Sequence, residues 1–391
     1  MRLKNFVISF IFVFAPALGL SETEIQGLQE TEPIKIGALF AVTGPASSLG
    51  APEAKTAEMF VNEINSKGGI HGRKIKLLIK DTGGSPEKAL SFAKRLIEDE
   101  KVFAIIGPST SGETMKIKNI CEEAKTILFS CAAAETIINP VAKYVFKSSQ
   151  KDSDAARSIF ATMNKLGIKT IGIVSSNTDF GKDGKDQLEK IAPEYGINIV
   201  MSEIYDKDAA DFTDLFKKLK SKKIQAVVNW SIGPAQATVA KNMKQFDFKI
   251  PLFQSYGFGN ILYAKAAGKA AEGIIFPCGR LPVADALPDS NQQKPVLLKY
   301  KKDYETSYKE EAGTSGGYAY DALLILTSAI EKTGTDKEKV RDTIEGIKDF
   351  TGTAGIFNFS PEEHNGLGID AFVMLTVKNG KFALYTTGRG K

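Results

Sequence analysis

From residue 34 onward the chain alternates between two hydrophobic periods. Short unbroken apolar runs give way to longer stretches with an apolar residue every three or four positions, and back again. IKIGALF (34–40) precedes a helical pattern over 51–67, and KIKLLIKD (74–81) precedes one over 86–98 that opens on Pro86, with Ser85 as N-cap. VFAIIG (102–107), a helix over 112–123 and TILFS (126–130) follow. Apolar runs without polar alternation suit strands covered on both faces, which means a parallel sheet with crossover helices. The rhythm then restarts: helix 152–166, TIGIVSS (170–176), helix 182–193, INIVMSEIY (197–205), helix 212–220, IQAVVNW (224–230), helix 234–246, PLFQS (251–255) and GIIFP (273–277). Two consecutive series of similar size predict an α/β protein of two doubly wound lobes. A single (β/α)₈ barrel is the competing topology. Against it, YVFKSS (144–149) and GIIFPCG (273–279) have no following barrel helix and read as connecting strands. The last third differs, with helices over 294–312, 317–332 and 336–347, a Gly/Thr/Phe stretch (350–359) and strands at 371–377 and 381–386.

The N-terminal MRLKNFVISFIFVFAPALGLS carries Arg2 and Lys4 ahead of an apolar stretch, then Pro16 and small residues at Ala17, Gly19 and Ser21. That is the pattern of a cleaved export leader over 1–21. The run falls short of the roughly 20 residues a membrane span needs, and no later stretch reaches that length. No cysteine stands near the cleavage site, which argues against a lipid anchor. Removing the leader takes Arg2 and Lys4 with it and lowers the net charge from +5 to +3, so nucleic acid is not an expected partner. The 391 residues, 43% of them apolar, suffice for two or three domains and exclude a disordered chain. Cys121, Cys131 and Cys278 are too few for a disulfide scaffold and have no zinc-site spacing. One disulfide with a free thiol and three free thiols both remain open.

The motifs give catalysis little to work with. GPSTSG (107–112) is not a G-x-S-x-G elbow, and neither a phosphate-binding loop nor a strand-linked GxGxxG is present. The two histidines, His71 in GGIHGR and His364 in SPEEHNG, both fall in turns away from strand C-termini. No catalytic residue, metal site or cofactor is therefore expected.

The strand ends are more informative. The run 102–106 leads into Gly107-Pro108-Ser109-Thr110-Ser111-Gly112 and then a helix, an arrangement of hydroxyls and free N–H groups suited to a carboxylate, or to simple capping. TILFS leads into Cys131-Ala132-Ala133-Ala134-Glu135, where small side chains let a ligand approach the backbone or merely allow tight packing. In the second series, Asn177 to Gly181, Ser231 to Gly233 and Ser255 to Gly257 stand at corresponding ends, with Phe180 and Tyr256 as candidate apolar walls.

IKIGALFAVTGPASSLG, VNEINSKGGIHGRKIKLLIKDTGGSPEKAL, IIGPSTSG, ILFSCAAAE, DFG (179–181) and GYAYDAL (317–323) together resemble the branched-chain amino-acid-type periplasmic binding proteins of ABC importers, in order and over nearly the whole chain. The resemblance implies a type I periplasmic binding protein fold: two Rossmann-like lobes joined by three crossover strands, with the ligand trapped between them. Lobe one would be 33–149 plus 279–350, and lobe two 150–278 plus 351–391.

The resemblance also implies that Ser111 binds a ligand carboxylate through its hydroxyl, with backbone hydrogen bonds around Ala132 and Ala134. Leu49 would face the pocket where an aromatic is common, and Phe180 stands in place of a tyrosine. Ile232 and Tyr256 fall where amino-acid-binding members tend to carry a tyrosine and a glutamate, the glutamate pairing with the ligand's ammonium. Tyr256 is uncharged near neutral pH and is no substitute as a counter-ion. Ala134 replaces a hydroxyl residue, and Cys131 a frequent proline. These departures point toward an aliphatic or aromatic carboxylate or an amide rather than leucine, unless Asp179 or Asp321 supplies the charge. The expected protein is thus a periplasmic, monomeric solute receptor that hands a small molecule to a membrane permease. A sensory module of the same fold and a two-lobed hydrolase are the alternatives. The first lacks a helix-turn-helix before Ile34 and a membrane span before Lys391, and the second lacks a nucleophile–base pair.

Overall fold

The apolar runs of the first series form a five-stranded parallel sheet in a computed structural model that describes residues 32–209 and 211–386. Its strands are β1 (Ile34–Phe40), β2 (Ile75–Asp81), β3 (Ala104–Ile106), β4 (Ile127–Ser130) and β5 (Val145–Lys147), in the order β2-β1-β3-β4-β5. β3, β4 and β5 are wholly buried, as continuous apolar runs require. The connecting helices are α1 (Ser47–Ser66), α2 (Pro86–Glu98) and α3 (Ser111–Glu123). The Ser85 hydroxyl caps α2 by accepting the Lys88 N–H.

The second series forms a sheet of seven strands. β6 (Thr170–Ser176), β7 (Asn198–Tyr205), β8 (Ala226–Trp230), β9 (Leu252–Gln254) and β10 (Ile275–Cys278) run parallel in the order β7-β6-β8-β9-β10. A hairpin of β13 (Val373–Lys378) and β14 (Lys381–Leu384) adds antiparallel to β10. A separate two-residue pair, β11 (Phe350–Thr351) and β12 (Ile356–Phe357), completes the strands. Helices α4 (Asp152–Leu166), α5 (Asp179–Ile191), α6 (Thr213–Lys220), α7 (Ala235–Gln245) and α8 (Ile261–Ala267) belong to this part of the chain. α9 (Lys294–Tyr308), α10 (Thr314–Thr333) and α11 (Lys337–Glu345) return to the first sheet.

Each sheet is covered on both faces. On one side of the first sheet, Phe60 and Val61 of α1 pack with Tyr300 of α9, Leu323 of α10 and Val340 of α11; on the other, Ala93 and Leu96 of α2 meet Ile117 and Cys121 of α3. Ile159 and Phe160 of α4 lie with Trp230 on one face of the second sheet, and Phe216 and Val239 on the other. Each of the large apolar side chains among them, such as Phe60, Leu96 and Ile159, contributes roughly 1.5–3 kcal/mol when removed from water.

Both parallel sheets share one strand order, in which the second strand lies outside the first and the third lies on its other side. The direction of winding reverses between β1 and β3, and again between β6 and β8. Loops leaving the C-terminal ends of these pairs diverge to opposite faces and leave a crevice, where open α/β sheets bind ligands.

Two expectations need correcting. The segments YVFKSS and GIIFPCG are sheet members, β5 and β10, and the chain crosses between sheets just after each. Phe357, Phe359 and Leu367 pack in the first sheet's core, so the third crossing comes near Phe372 rather than at 351. His364 does sit in a turn, as expected, and is fully buried there: it stacks on Phe146 with centroids 4.2 Å apart, and its Nδ1 lies 2.9 Å from the Val145 carbonyl. The three cysteines are buried and unpaired. The expected leader lies outside the described residues, among which no helix is long and apolar enough to cross a membrane.

Candidate functional site

Gly107 ends β3 at φ +86°, and a Cβ there would lie 2.2 Å from the Leu39 carbonyl oxygen, so glycine alone lets the chain turn against β1. The turn delivers residues 108–111 to the crevice at the β1/β3 reversal. Thr110 caps α3: its hydroxyl oxygen accepts the Glu113 N–H, and Glu113 Oε2 accepts the Thr110 N–H at 3.1 Å. Ser111 is thereby relieved of capping. Its Oγ accepts the Ala134 N–H at 3.1 Å, and its own proton has no acceptor among the described residues.

Six of the seven site residues anticipated above, Leu49, Ser111, Ala132, Phe180, Ile232 and Tyr256, line one narrow cavity of about 50 Å³. Ala134 does not; Ala133 takes its place. The backbone donors expected of this loop are engaged within the protein. The Ala134 N–H is held by Ser111, and the Ala132 N–H donates to Ser130 Oγ at 3.1 Å. Its carbonyls are occupied too, Ala132 O by the Ser149 hydroxyl and Ala133 O by Lys147 Nζ. Ala132 and Ala134 thus fasten the loop to α3 and β5, while the Ser111 proton and the Ala133 N–H have no acceptor among the described residues.

The second sheet supplies the opposite wall from equivalent strand ends. Phe180 follows β6, Ile232 follows β8 and Tyr256 follows β9. The Tyr256 ring meets Phe180 edge-on at 5.6 Å and Phe372 at 5.4 Å, with Trp230 behind at 6.1 Å. Trp230 was not anticipated as support for the site, because a tryptophan ending a buried strand reads as ordinary core. The Tyr256 hydroxyl donates to Asp152 Oδ1 at 2.6 Å. Burial, together with the neighbouring Asp183, holds the Asp152 carboxyl well above the usual carboxylate range. Lys147, also buried nearby, is depressed to about 8 by desolvation against the pull of these acids.

The rims also meet directly: Ser48 and Tyr263 hydroxyls lie 2.6 Å apart, Asn260 Nδ2 donates to Ser48 O at 3.1 Å, and Asp183 Oδ2 accepts the Glu135 N–H at 2.7 Å. Outside them a wider cleft of about 430 Å³ shares Leu49, Thr110, Ser111, Phe180 and Ile232 with the inner cavity and has Asp179 on its wall. Asp321, the other acid considered for a ligand charge, lines neither. Its carboxylate is occupied by the N–H groups of Thr353 (2.7 Å) and Ala354 (2.8 Å) and the Thr353 hydroxyl (3.1 Å).

One acid does reach the inner cavity and escaped the sequence reading. Glu53 is 1% exposed, lies one turn after Leu49 on α1 and shares its face. The i, i+4 spacing from a residue already placed at the pocket was the available signal. Burial and the nearby Glu113 raise its carboxyl well above the ordinary range, against the lowering effect of a hydrogen bond from Ser109.

A family model described as "Periplasmic binding protein" matches residues 33–381. The chain is 25% identical to a leucine-, isoleucine-, valine-, threonine- and alanine-binding protein of Pseudomonas aeruginosa, over 80% of this chain and 82% of the relative. It is 28% identical to Leu/Ile/Val-binding protein homolog 7 of Brucella abortus, over 89% and 90%. Among solved structures, an extracellular ligand-binding receptor from Rhodopseudomonas palustris HaA2 matches with TM-score 0.85 at 26% identity, covering 90% of this chain and 99% of that one. The branched-chain amino acid transporter substrate-binding protein LivJ from Streptococcus pneumoniae, solved with isoleucine, matches with TM-score 0.79 at 26% identity, covering 90% and 97%.

Proposed function

Because the chain belongs to the periplasmic binding protein family, in its branched-chain amino-acid type, we propose that it is an exported solute-binding protein of an ABC importer. It traps a small carboxylate-bearing ligand of the branched-chain or related amino-acid class between two lobes and delivers it to a membrane permease. The observation that carries this reading is the narrow cavity, with Leu49 and Ser111 from one sheet's loops facing Phe180, Ile232 and Tyr256 from the other's. A ligand there gains its full set of contacts only when both walls are together, so binding shifts the molecule toward the closed form. The Ser111 proton receives the carboxylate, and the aromatic wall receives an apolar side chain. No covalent step is called for, in keeping with a family of solute-binding proteins.

A second reading, a carboxylate or amide without an amino group, is favoured by Tyr256. Its hydroxyl is committed to Asp152, and Phe180, Ile232 and Tyr256 bring no carboxylate to the cavity wall. A thermal-shift panel of leucine, valine, phenylalanine, benzoate and short aliphatic acids tests both. The true class raises Tm in proportion to the logarithm of ligand concentration above Kd. A panel in which no compound moves Tm would refute the solute-binding reading for this chemistry.

A further inference from the structure

Ser109 receives the Ala41 N–H on its Oγ at 3.0 Å and gives its single proton to Glu53 Oε2. It therefore has nothing left to offer a ligand. Glu53 Oε1 accepts no hydrogen bond among the described residues, and Glu53 takes part in no ion pair. The groups that face this carboxyl are Glu113 from α3, Cys131 from the loop after β4 and Tyr318 from α10. None is a cation. Glu53 is 1% exposed and lines the cavity, and its Oε1 is not among the fully buried, unpartnered side-chain atoms. The carboxyl thus has one oxygen tied to Ser109 and the other open to the cavity rather than committed to the protein.

We infer that Glu53 is the acceptor for the ligand's ammonium group, supplied from the first sheet's side in place of any acid from the second. This rests on the solute-binding reading above and names its ligand as an α-amino acid. In a cavity of about 50 Å³ the Ser111 proton provides a donor and Glu53 Oε1 an acidic acceptor within reach of one small head group. An α-amino acid carries the matching pair, an acceptor carboxylate and a donor ammonium, on one carbon. Ser109 then acts as a positioning residue, holding Oε2 so that Oε1 faces the ligand.

The test is calorimetry on the full mature chain, freed of ligand by unfolding and refolding. The probes are L-leucine, L-isoleucine and L-valine, with 4-methylpentanoate as the partner of leucine that lacks the amino group. The wild type is expected to prefer leucine over 4-methylpentanoate by at least about 30-fold, as a buried charge pair implies. E53Q, which keeps shape and the Ser109 contact but turns an amide toward the ammonium, should lose that preference and bind 4-methylpentanoate within a few-fold of wild type. E53D should regain part of it. Equal amino-acid affinity in wild type and E53Q overturns the role of Glu53 and leaves the solute-binding reading standing. So does a wild type that binds 4-methylpentanoate but none of the three amino acids, a result that needs no variant to fold. Binding of none of the four compounds would bring down both readings together.

Discussion

The Tyr256 hydroxyl lies 2.6 Å from Asp152 Oδ1, joining the loop after β9 to the first residue of α4, where the chain has just crossed from the first sheet to the second. The same hydroxyl lies 3.1 Å from the Gln150 carbonyl and 3.3 Å from that of Ala133. A cavity-lining ring is therefore anchored on the stretch where the chain passes from one sheet to the other. Asp152 Oδ2 has no hydrogen-bond partner by geometry, and Oδ1 is held by Tyr256 as its donor, with Asp183 the neighbouring acid.

Tyr256→Phe removes that donor while leaving the ring packing against Phe180 and Phe372. The variant should lose about 1–3 kcal/mol of stability, the cost of leaving a buried polar group unsatisfied. Urea unfolding of ligand-free protein measures it, and an unchanged midpoint would show that Asp152 finds another partner.

Ser111→Ala should weaken a carboxylate ligand by about 1.5–3 kcal/mol, the contribution of a hydrogen bond to a charged group. Because Thr110 rather than Ser111 caps α3, helix stability should be little affected, although Ala134 loses its acceptor. Calorimetric titration with the best ligand of the panel decides the point; undiminished affinity would assign Ser111 only the fastening of the 131–134 loop.

Asp321 gives the protein a pH dependence of defined sign. Burial lifts its carboxyl from 3.8 to about 7, against the pull of the Thr353 and Ala354 hydrogen bonds. A carboxyl raised in the folded state binds its proton more tightly there than in the unfolded chain. Its contribution is full below about pH 4 and is lost as pH rises toward 7. Stability measured by urea unfolding at pH 5 should exceed that at pH 7.5, and Asp321→Asn should reduce the difference. Glu53, Glu113 and Asp152 are raised as well and act in the same direction, so part of the slope should survive. A slope unaltered by Asp321→Asn would mean that this carboxyl stays ionised across the range.

The thiols should be silent. Burial pushes Cys121 and Cys278 to about 12 and holds the Cys131 thiol well above the ordinary thiol range too. An aromatic disulfide reagent at pH 8 should find none of them in the native protein and all three after unfolding. Rapid reaction of one thiol in the folded state would point to opening of the cavity around Cys131.

Much of the architecture is legible in the amino-acid sequence, because unbroken apolar runs and helical periodicity admit few readings. α2, α4 and β6 begin and end where their patterns do. α5 starts three residues earlier than the pattern suggests, since Thr178 accepts the Gly181 N–H as a cap. Gly181 and Gly184 sit inside the helix where Ser176 and Trp230 leave no room for a Cβ. The candidate site is half legible. Strand-end loops locate Ser111 and Tyr256, but the occupancy of each N–H depends on partners far away in sequence, as with Ala134 and Ser111. Glu53 stays hidden for a related reason: an acid on an amphipathic helix looks like its solvated face until tertiary packing closes over it.

The three passages of the chain between the sheets, after β5, after β10 and near Phe372, have a kinetic consequence. A single tether would leave two bodies to find each other by rotational search. Three tethers side by side remove most of those rotations and leave chiefly a bend about one line. The facing walls then meet at a high effective concentration fixed by covalent connectivity. On the proposed function, ligand binding energy would go into selecting the closed geometry rather than into orienting two independent halves.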